Sequence, residues 1–394
     1  PHVRWPHQSR RELETIGQRV VDIILEWCSS AKLEISARKT EAIVLRSGWI
    51  KRAPIGRRGG ARPDRKRKAV RPSKTDLTRR PPSIKIGNAS IKFKAAVRYL
   101  GVHFDSGMGV RTHCQYLSDK MGPLFQKLGR LARCQWGLRF GALSVIYSGV
   151  FIPVVTYAAA GWADLCSEKE LKVLRSIQRR VLISATAAYR KSSWESLCVV
   201  AGAVPVDILL EKHRALFNLR RGKDARIGNT QIPAGLDDVK ERVANEVCNV
   251  WQTRWDSSHK GRTTFYFFRN IRERLIAKWI RPDHYSTQVL TGHGNFRYRL
   301  FRYCVVEDEC CICGAEVDSV GHFLLECPIF DPQREALRDI VPPDQWSWPE
   351  AAHHFVMSQE AFSLLADFCA ESLFIKGFLD QDSTQTGTAI NLTA

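Results

Sequence analysis

Residues 310–327 read CCICGAEVDSVGHFLLEC, and within them Cys310, Cys313, His322 and Cys327 are separated by two, eight and four residues. Zinc takes four tetrahedral ligands from thiolates and imidazoles. A two-residue gap lets one turn present two thiolates to one ion, and a His at a helix start with a Cys five positions later closes the other side. Four protein ligands fill the shell and leave no position for a reactive water. The spacing therefore points to a structural zinc knuckle that folds on metal, not to a hydrolytic zinc. Cys311 competes with Cys310 for the first position, but Cys311-x-Cys313 is a tight chelate, so Cys310 is taken as the ligand. Cys304 reads as a packed strand residue.

Outward from this cluster the pattern is mostly helical. Apolar residues recur at three- and four-residue steps from Ser9 to Cys28 (Leu13, Ile16, Val20, Ile23, Ile24, Trp27), with Ser9 and Glu12 as a capping box. The same period runs from Cys114 to Leu219 and from Asp237 to Ile280, and further helices are expected from Gln333 and over Ser358 to Phe374. Short β-branched runs predict strands at Lys32–Ile35 and Ala42–Leu45. A hairpin turning on Gly87-Asn88 follows, between Ser83–Ile86 and Ala89–Phe93, with a third strand over Val97–Asp105. The fold class is α+β, mostly helical.

At 394 residues, 44% hydrophobic and 10% aromatic, the chain has material for two or three real cores, which excludes a disordered or collagen-like protein. Sixty Lys+Arg against forty Asp+Glu leave +20, a field that favours polyanions. Much of that excess lies in residues 48–83, a segment with five prolines that reads as a flexible basic insertion. Its cations, Arg57, Arg58, Arg62, Arg65, Lys66, Arg67, Lys68, Arg71, Lys74, Arg79 and Arg80, are the candidate nucleic-acid contacts. Arg65–Lys68 also suits nuclear import. Trp136, Tyr189, Trp194, Trp251, Trp255, Trp279 and Tyr285 lie near Lys or Arg, a pairing suited to unpaired bases.

Twelve Cys, several alone in apolar stretches, fit a reducing, intracellular setting. No charge interrupts Phe140–Ala163, but Pro153, three glycines, Ser144, Ser148 and Thr156 do, so a buried helix pair is expected there and no membrane partner. The start, PHVRWPHQSR, has no Met and no signal-peptide pattern, as if cut from something longer. The adjacent pair Asp237-Asp238 precedes a helix and reads as a cap. No nucleophile elbow, phosphate loop or HExxH motif is present. The residues alone describe a chain that binds rather than catalyses.

Several stretches resemble the polymerase of non-LTR retrotransposons of the insect R1 type. Leu33-Glu-Ile-Ser-Ala-Arg-Lys-Thr-Glu-Ala-Ile-Val-Leu45 is similar to reverse-transcriptase motif D, and Tyr99-Leu-Gly-Val-His-Phe-Asp105 to motif E. Tyr157-Ala-Ala-Ala-Gly-Trp162, Gln178-Arg-Arg180 and Ala188-Tyr-Arg190 resemble the thumb and connection. Leu290-Thr-Gly-His-Gly294 with the Cys/His cluster resembles the C-terminal region. The resemblance implies the end of a palm at 1–47, the basic insertion at 48–83, a primer-grip hairpin at 84–105 and a helical thumb and connection at 106–235. It then implies a helical linker at 236–300, a zinc knuckle at 301–330, C-terminal helices at 331–378 and a disordered tail at 379–394.

It further implies that Tyr99, Leu100 and Gly101 back a primer terminus, and that Lys39 matches a motif D lysine near departing pyrophosphate. The catalytic aspartates would lie upstream of Ser9, so magnesium is expected only in the intact polymerase and this chain alone is expected to be inactive. The implied partners are an RNA template, a DNA target or primer and the rest of a polyprotein that also carries an endonuclease. The implied locations are the nucleus when acting on target DNA and the cytoplasm for the RNA complex. The other reading is a host zinc-knuckle nucleic-acid-binding protein derived from such an element.

Overall fold

The computed structural model describes residues 10–45, 81–132 and 139–385; the eleven basic candidates from Arg57 to Arg80 lie outside them. The chain divides into two compact units. One comprises residues up to Tyr116 with Asp164–Glu170, and the other comprises Leu117–Ala163 with Leu171 onward.

In the first unit, α1 (Arg10–Ser30) forms where the periodicity predicts a helix. Its apolar stripe, however, is not its packed face, for Trp27 is 62% exposed and Ile23 56%. Glu14 and Gln18, one turn apart, instead meet the chain edge at 83–85. Ser83 N–H donates to Glu14 Oε1 at 2.9 Å, Lys85 N–H donates to Gln18 Oε1 at 2.9 Å, and Gln18 Nε2 donates to the Lys85 carbonyl at 3.0 Å. Polar side chains thus supply the bonds that a further strand would have made.

The expected strand at Lys32–Ile35 is absent, because α1 closes with Lys32 at φ 55° and Leu33 N–H bonded to the Cys28 carbonyl. β1 (Glu41–Ala42) pairs in parallel with β4 (Lys92–Phe93), while β2 (Lys85–Ile86) and β3 (Ala89–Ser90) form the hairpin expected over Gly87-Asn88. Residues 97–105 are not one strand. β5 (Ala96–Tyr99) and β6 (Val102–Asp105) pair antiparallel across Leu100-Gly101, whose φ values of 46° and 90° make a two-residue reversal.

Among its described residues the second unit is helical apart from one short hairpin. After α2 (Arg111–Ala132), the stretch Phe140–Leu165 is long and apolar enough to cross a membrane, and it is not the simple helix pair expected of it. It is α3 (Phe140–Ile146), a π-turn at Tyr147–Phe151, α4 (Ile152–Thr156) and α5 (Ala159–Trp162), broken at Ala158 where φ is 51°. Phe151, Val155, Ala159 and Trp162 are buried while Val145 and Tyr157 are exposed.

α6 (Glu168–Ala185), α7 (Trp194–Ala201) and α8 (Val206–Leu219) follow, and Gln178 of α6 ties them to one another and to Tyr147. Fully buried, Gln178 donates Nε2 to the Tyr147 hydroxyl and to the Val204 carbonyl, both at 2.8 Å. Its Oε1 accepts from Trp194 Nε1 and Val206 N–H, both at 2.9 Å. Asp207 is bridged by Arg175 at 2.6 Å and Arg254 at 2.9 Å. Burial pushes its carboxyl up, but Arg254 and Arg175 more than offset that and hold it below the usual range.

After the hairpin of β7 (Ala225–Ile227) and β8 (Thr230–Ile232) come α9 (Val239–Ser257), α10 (Arg262–Phe267), α11 (Ile271–Ile276) and α12 (His284–Thr291). Asp238 occupies the N-cap position of α9 but makes no side-chain cap; only its carbonyl accepts, from Arg242 N–H. α13 (Arg297–Phe301), α14 (Val320–Leu325), α15 (Asp331–Arg338) and α16 (Gln359–Gln385) complete the fold. The last helix continues through Gln385, into residues expected to be a disordered tail.

Candidate metal centre

A chain turn and one short helix bring four soft donors together. Gly314 N–H bonds to the Cys311 carbonyl at 2.9 Å and Cys311 N–H to the Ala315 carbonyl at 2.8 Å. Gly314 sits at φ 93°, a conformation that a Cβ would strain. This turn directs Cys311 and Cys313 inward. On the opposite side Ser319 caps α14 by accepting from His322 N–H at 3.2 Å, which places His322 in the first turn, and Cys327 follows the helix with its N–H on the His322 carbonyl at 2.8 Å.

The ligand atoms of Cys311, Cys313, His322 and Cys327 all lie within 4.8 Å of one another. Cys311 Sγ is 3.8 Å from Cys327 Sγ, and Cys313 Sγ is 3.3 Å from His322 Nε2. Tetrahedral zinc with sulfur ligands has edges of roughly 3.8 Å, somewhat less where one ligand is imidazole, so the donors fit zinc in type and spacing. Two acidic neighbours and one buried arginine surround them. Glu326 Oε2 is 3.5 Å from His322 Nδ1, leaving Nε2 toward the thiols. The hydrogen bond from Cys311 lowers the Cys327 thiol despite burial, and the same bond with burial raises the Cys311 thiol.

One position departs from the sequence expectation. Cys310 is exposed, its N–H bonded to Asp308 Oδ1 at 3.0 Å, and Cys311 takes the place expected of it. The Gly314 reversal turns the buried Cys311 toward Cys327 and leaves its neighbour outside, a choice that spacing alone does not make. Cys313, His322 and Cys327 supply the other three donors of the cluster. Cys304 is exposed in a turn with φ 55°, not packed in a strand.

The cluster is held by the helices around it. Phe323 of α14 meets Phe296, Phe330 and Phe368 with ring centroids 5.7, 5.1 and 5.2 Å apart. Arg334 of α15, fully buried, donates to the carbonyls of Leu324 at 2.7 Å, Phe323 at 3.2 Å and Cys327 at 2.7 Å, satisfying the end of α14. Asp318, in the loop between the two ligand pairs, accepts from Arg297 N–H at 2.8 Å and pairs with Lys376 of α16 at 2.8 Å, both side chains 1% exposed.

The other expected site residues that the structure describes lie in the first unit. Tyr99 and Leu100 stand at the tip of the β5–β6 hairpin, 66% and 75% exposed, with Gly101 completing the turn. Lys39 is exposed in a turn closed by its N–H on the Ser36 carbonyl.

The chain is 38% identical over 390 residues to "Retrovirus-related Pol polyprotein from type-1 retrotransposable element R1 4" of Nasonia vitripennis, covering 97% of this chain and 95% of that protein. It is 27% identical over 330 residues to the R1 2 polyprotein of the same organism, covering 82% and 75%. To the R1 Pol polyprotein of Bradysia coprophila it is 28% identical over 333 residues, which span 83% of this chain and 30% of that longer protein. No protein-family model matches the chain, and no solved structure does.

Proposed function

The chain belongs to the Pol polyproteins of type-1 (R1) retrotransposable elements, and from that premise we propose that it serves the nucleic-acid-handling end of an RNA-directed DNA polymerase. The observation that carries this reading is the likeness along nearly the whole chain to Pol polyproteins. The β5–β6 hairpin is read as a primer grip, its exposed Tyr99 and Leu100 set against the end of a primer. The helices that follow are read as thumb and linker. Cys311, Cys313, His322 and Cys327 would hold zinc, whose role is to fix the turn and α14 to each other, since the four donors leave no open coordination position.

Nucleotide addition itself is assigned to magnesium-binding carboxylates elsewhere in a polyprotein. Lys39 then has a role only when that part is present. The partners are an RNA template and a target or primer DNA, met in the nucleus, with the RNA complex formed in the cytoplasm.

The test is binding of labelled single-stranded RNA and DNA by the zinc-loaded chain across salt concentrations, with primer extension run beside it. Affinity is expected to fall steeply between low and moderate salt as phosphate contacts are screened. Absence of binding, or binding indifferent to salt, overturns the nucleic-acid reading. Primer extension by residues 1–394 alone overturns the assignment of catalysis elsewhere.

A further inference from the structure

Away from the thiol cluster, the second unit holds a cleft of about 820 Å³ lined by eight Lys or Arg side chains and one carboxylate, Glu195. The cations come from stretches far apart in sequence: α6 supplies Lys172, the turn before α7 Lys191, the loop before α10 Lys260, and α13 with its last turn Arg302. Glu195 is accounted for by its place in the first turn of α7, where the helix dipole favours a carboxylate. Arg175 is paired with Asp207, whereas Lys172, Lys191, Lys260 and Arg302 have no ion pair among the described residues. Packing unneutralised cations round one hollow costs self-repulsion, and a polyanion relieves it.

The walls are fixed in advance of any ligand. Arg179 is braced by the carbonyls of Arg190 and Ser192, and Arg299 by the Gly292 carbonyl at 3.1 Å. Gly261, at φ 74°, lets the 260–262 turn close on α7, since a Cβ there would stand 2.2 Å from Ser196 Oγ. Ser192 also lines the cleft, 1% exposed, and its Oγ has no hydrogen-bond partner. A buried hydroxyl left unpaired beside these cations is a donor without an acceptor. Next to the lining residue Lys191, Tyr303 is 41% exposed with Lys191 Nζ 5.6 Å from its ring centroid, a face against which a base can stack.

We propose that this cleft seats the phosphodiester backbone of a single nucleic-acid strand, with phosphates on Lys172, Lys191, Lys260 and Arg302 and an acceptor oxygen on Ser192. The proposal rests on the reading above that the chain handles nucleic acid, and it names the surface that does so within the described residues.

The test uses the zinc-loaded full chain and labelled 20-nucleotide RNA and DNA strands of one sequence, with binding read by fluorescence anisotropy. The double variant Lys172→Glu, Lys260→Glu removes two exposed, unpaired cleft cations. The double variant Lys223→Glu, Lys240→Glu makes the same charge change at exposed positions outside the cleft. The cleft variant is expected to bind about tenfold or more weakly, with the salt slope reduced by about 1.4, while the outer variant stays within about threefold of the unaltered chain. Loss in the RNA arm alone names RNA as the strand, loss in the DNA arm alone names DNA, and equal loss places recognition on the shared backbone.

Equal weakening by both variants, or none by the cleft variant while the unaltered chain binds, overturns the cleft and leaves the functional reading standing. No binding by the unaltered chain overturns both. Displacement of the strand by a mononucleotide as efficiently as by unlabelled strand also overturns it, since the cleft would then be a small-molecule site.

Discussion

Replacing Lys376 with Met keeps most of the side-chain volume and removes only the ammonium. That group lies 2.8 Å from Asp318 Oδ2 and 3.5 Å from Asp380 Oδ2, with Lys376 and Asp318 both 1% exposed. Burial pulls the Lys376 ammonium down, yet Asp318 and Asp380 more than compensate and hold its pKa above the ordinary lysine value. Two opposite charges about 4 Å apart attract by about 4 kcal/mol at an effective dielectric near 20. Stripping one partner from a buried pair leaves the other charge uncompensated and costs about 3–5 kcal/mol. Lys376→Met is therefore expected to destabilise the second unit by about that amount.

Adding Asp318→Asn removes the stranded charge while keeping an acceptor for Arg297 N–H, so the double variant is expected to recover to within about 2 kcal/mol of the unaltered chain. Urea unfolding of zinc-loaded protein, followed by tryptophan fluorescence and compared at equal m-value, measures both. A single-variant cost below about 1 kcal/mol, or a double variant as unstable as the sum of its parts, refutes the claim that this pair is desolvated and coupled.

Three further outcomes follow from the same geometry. Cys311→Ser is expected to lose about one zinc per chain while Cys310→Ser keeps it, measured by metal analysis after dialysis; the reverse pattern returns the first ligand position to Cys310. Gln178→Leu strands the Trp194 and Val206 N–H donors in the interior and is expected to cost about 3 kcal/mol or more in urea unfolding, at 1–3 kcal/mol for each buried group left unpaired. His113 and His293 are both pushed down to about 4, chiefly by burial, then by His103 for the first and by Arg299 and Arg179 for the second. Since the unfolded chain takes up these protons near 6.5, their contribution to stability is complete above that pH and is lost as pH falls toward 4. Ring titrations followed by NMR on zinc-loaded protein should show midpoints near 4; midpoints at 6 or above would contradict the burial.

Much of the helical architecture was legible because apolar period and helix length agree from Leu171 to Leu219 and from Asp237 to Ile280. Three of the four cluster donors were legible because metal chemistry restricts their spacing. The choice between Cys310 and Cys311 was not, since it depends on a reversal at Gly314 and a hydrogen bond to Ala315. The turn at Leu100 was read through as strand because its positive φ falls on a leucine, where no residue type signals it. Trp27 and Ile23 on α1 promised a core face, but the backbone at 83–85 is hydrogen-bonded by Glu14 and Gln18. The cleft was hidden for a different reason: Lys172, Lys191, Lys260 and Arg302 are strangers along the chain, and each taken singly is a solvated surface charge.

Asp318 lies in the loop between Cys313 and His322, yet its side-chain partners are Arg297 upstream and Lys376 downstream. A peptide cut to residues 301–330 would keep every thiol and the imidazole but forfeit those partners, together with the aromatic neighbours of Phe323 beyond the cut. The Cys/His cluster is thus no transplantable cassette. Grafted onto a foreign scaffold it would bring its chelating groups without the surroundings that set their orientation, whereas exchanges between relatives should succeed only when the segments bearing α13 and α16 travel with it.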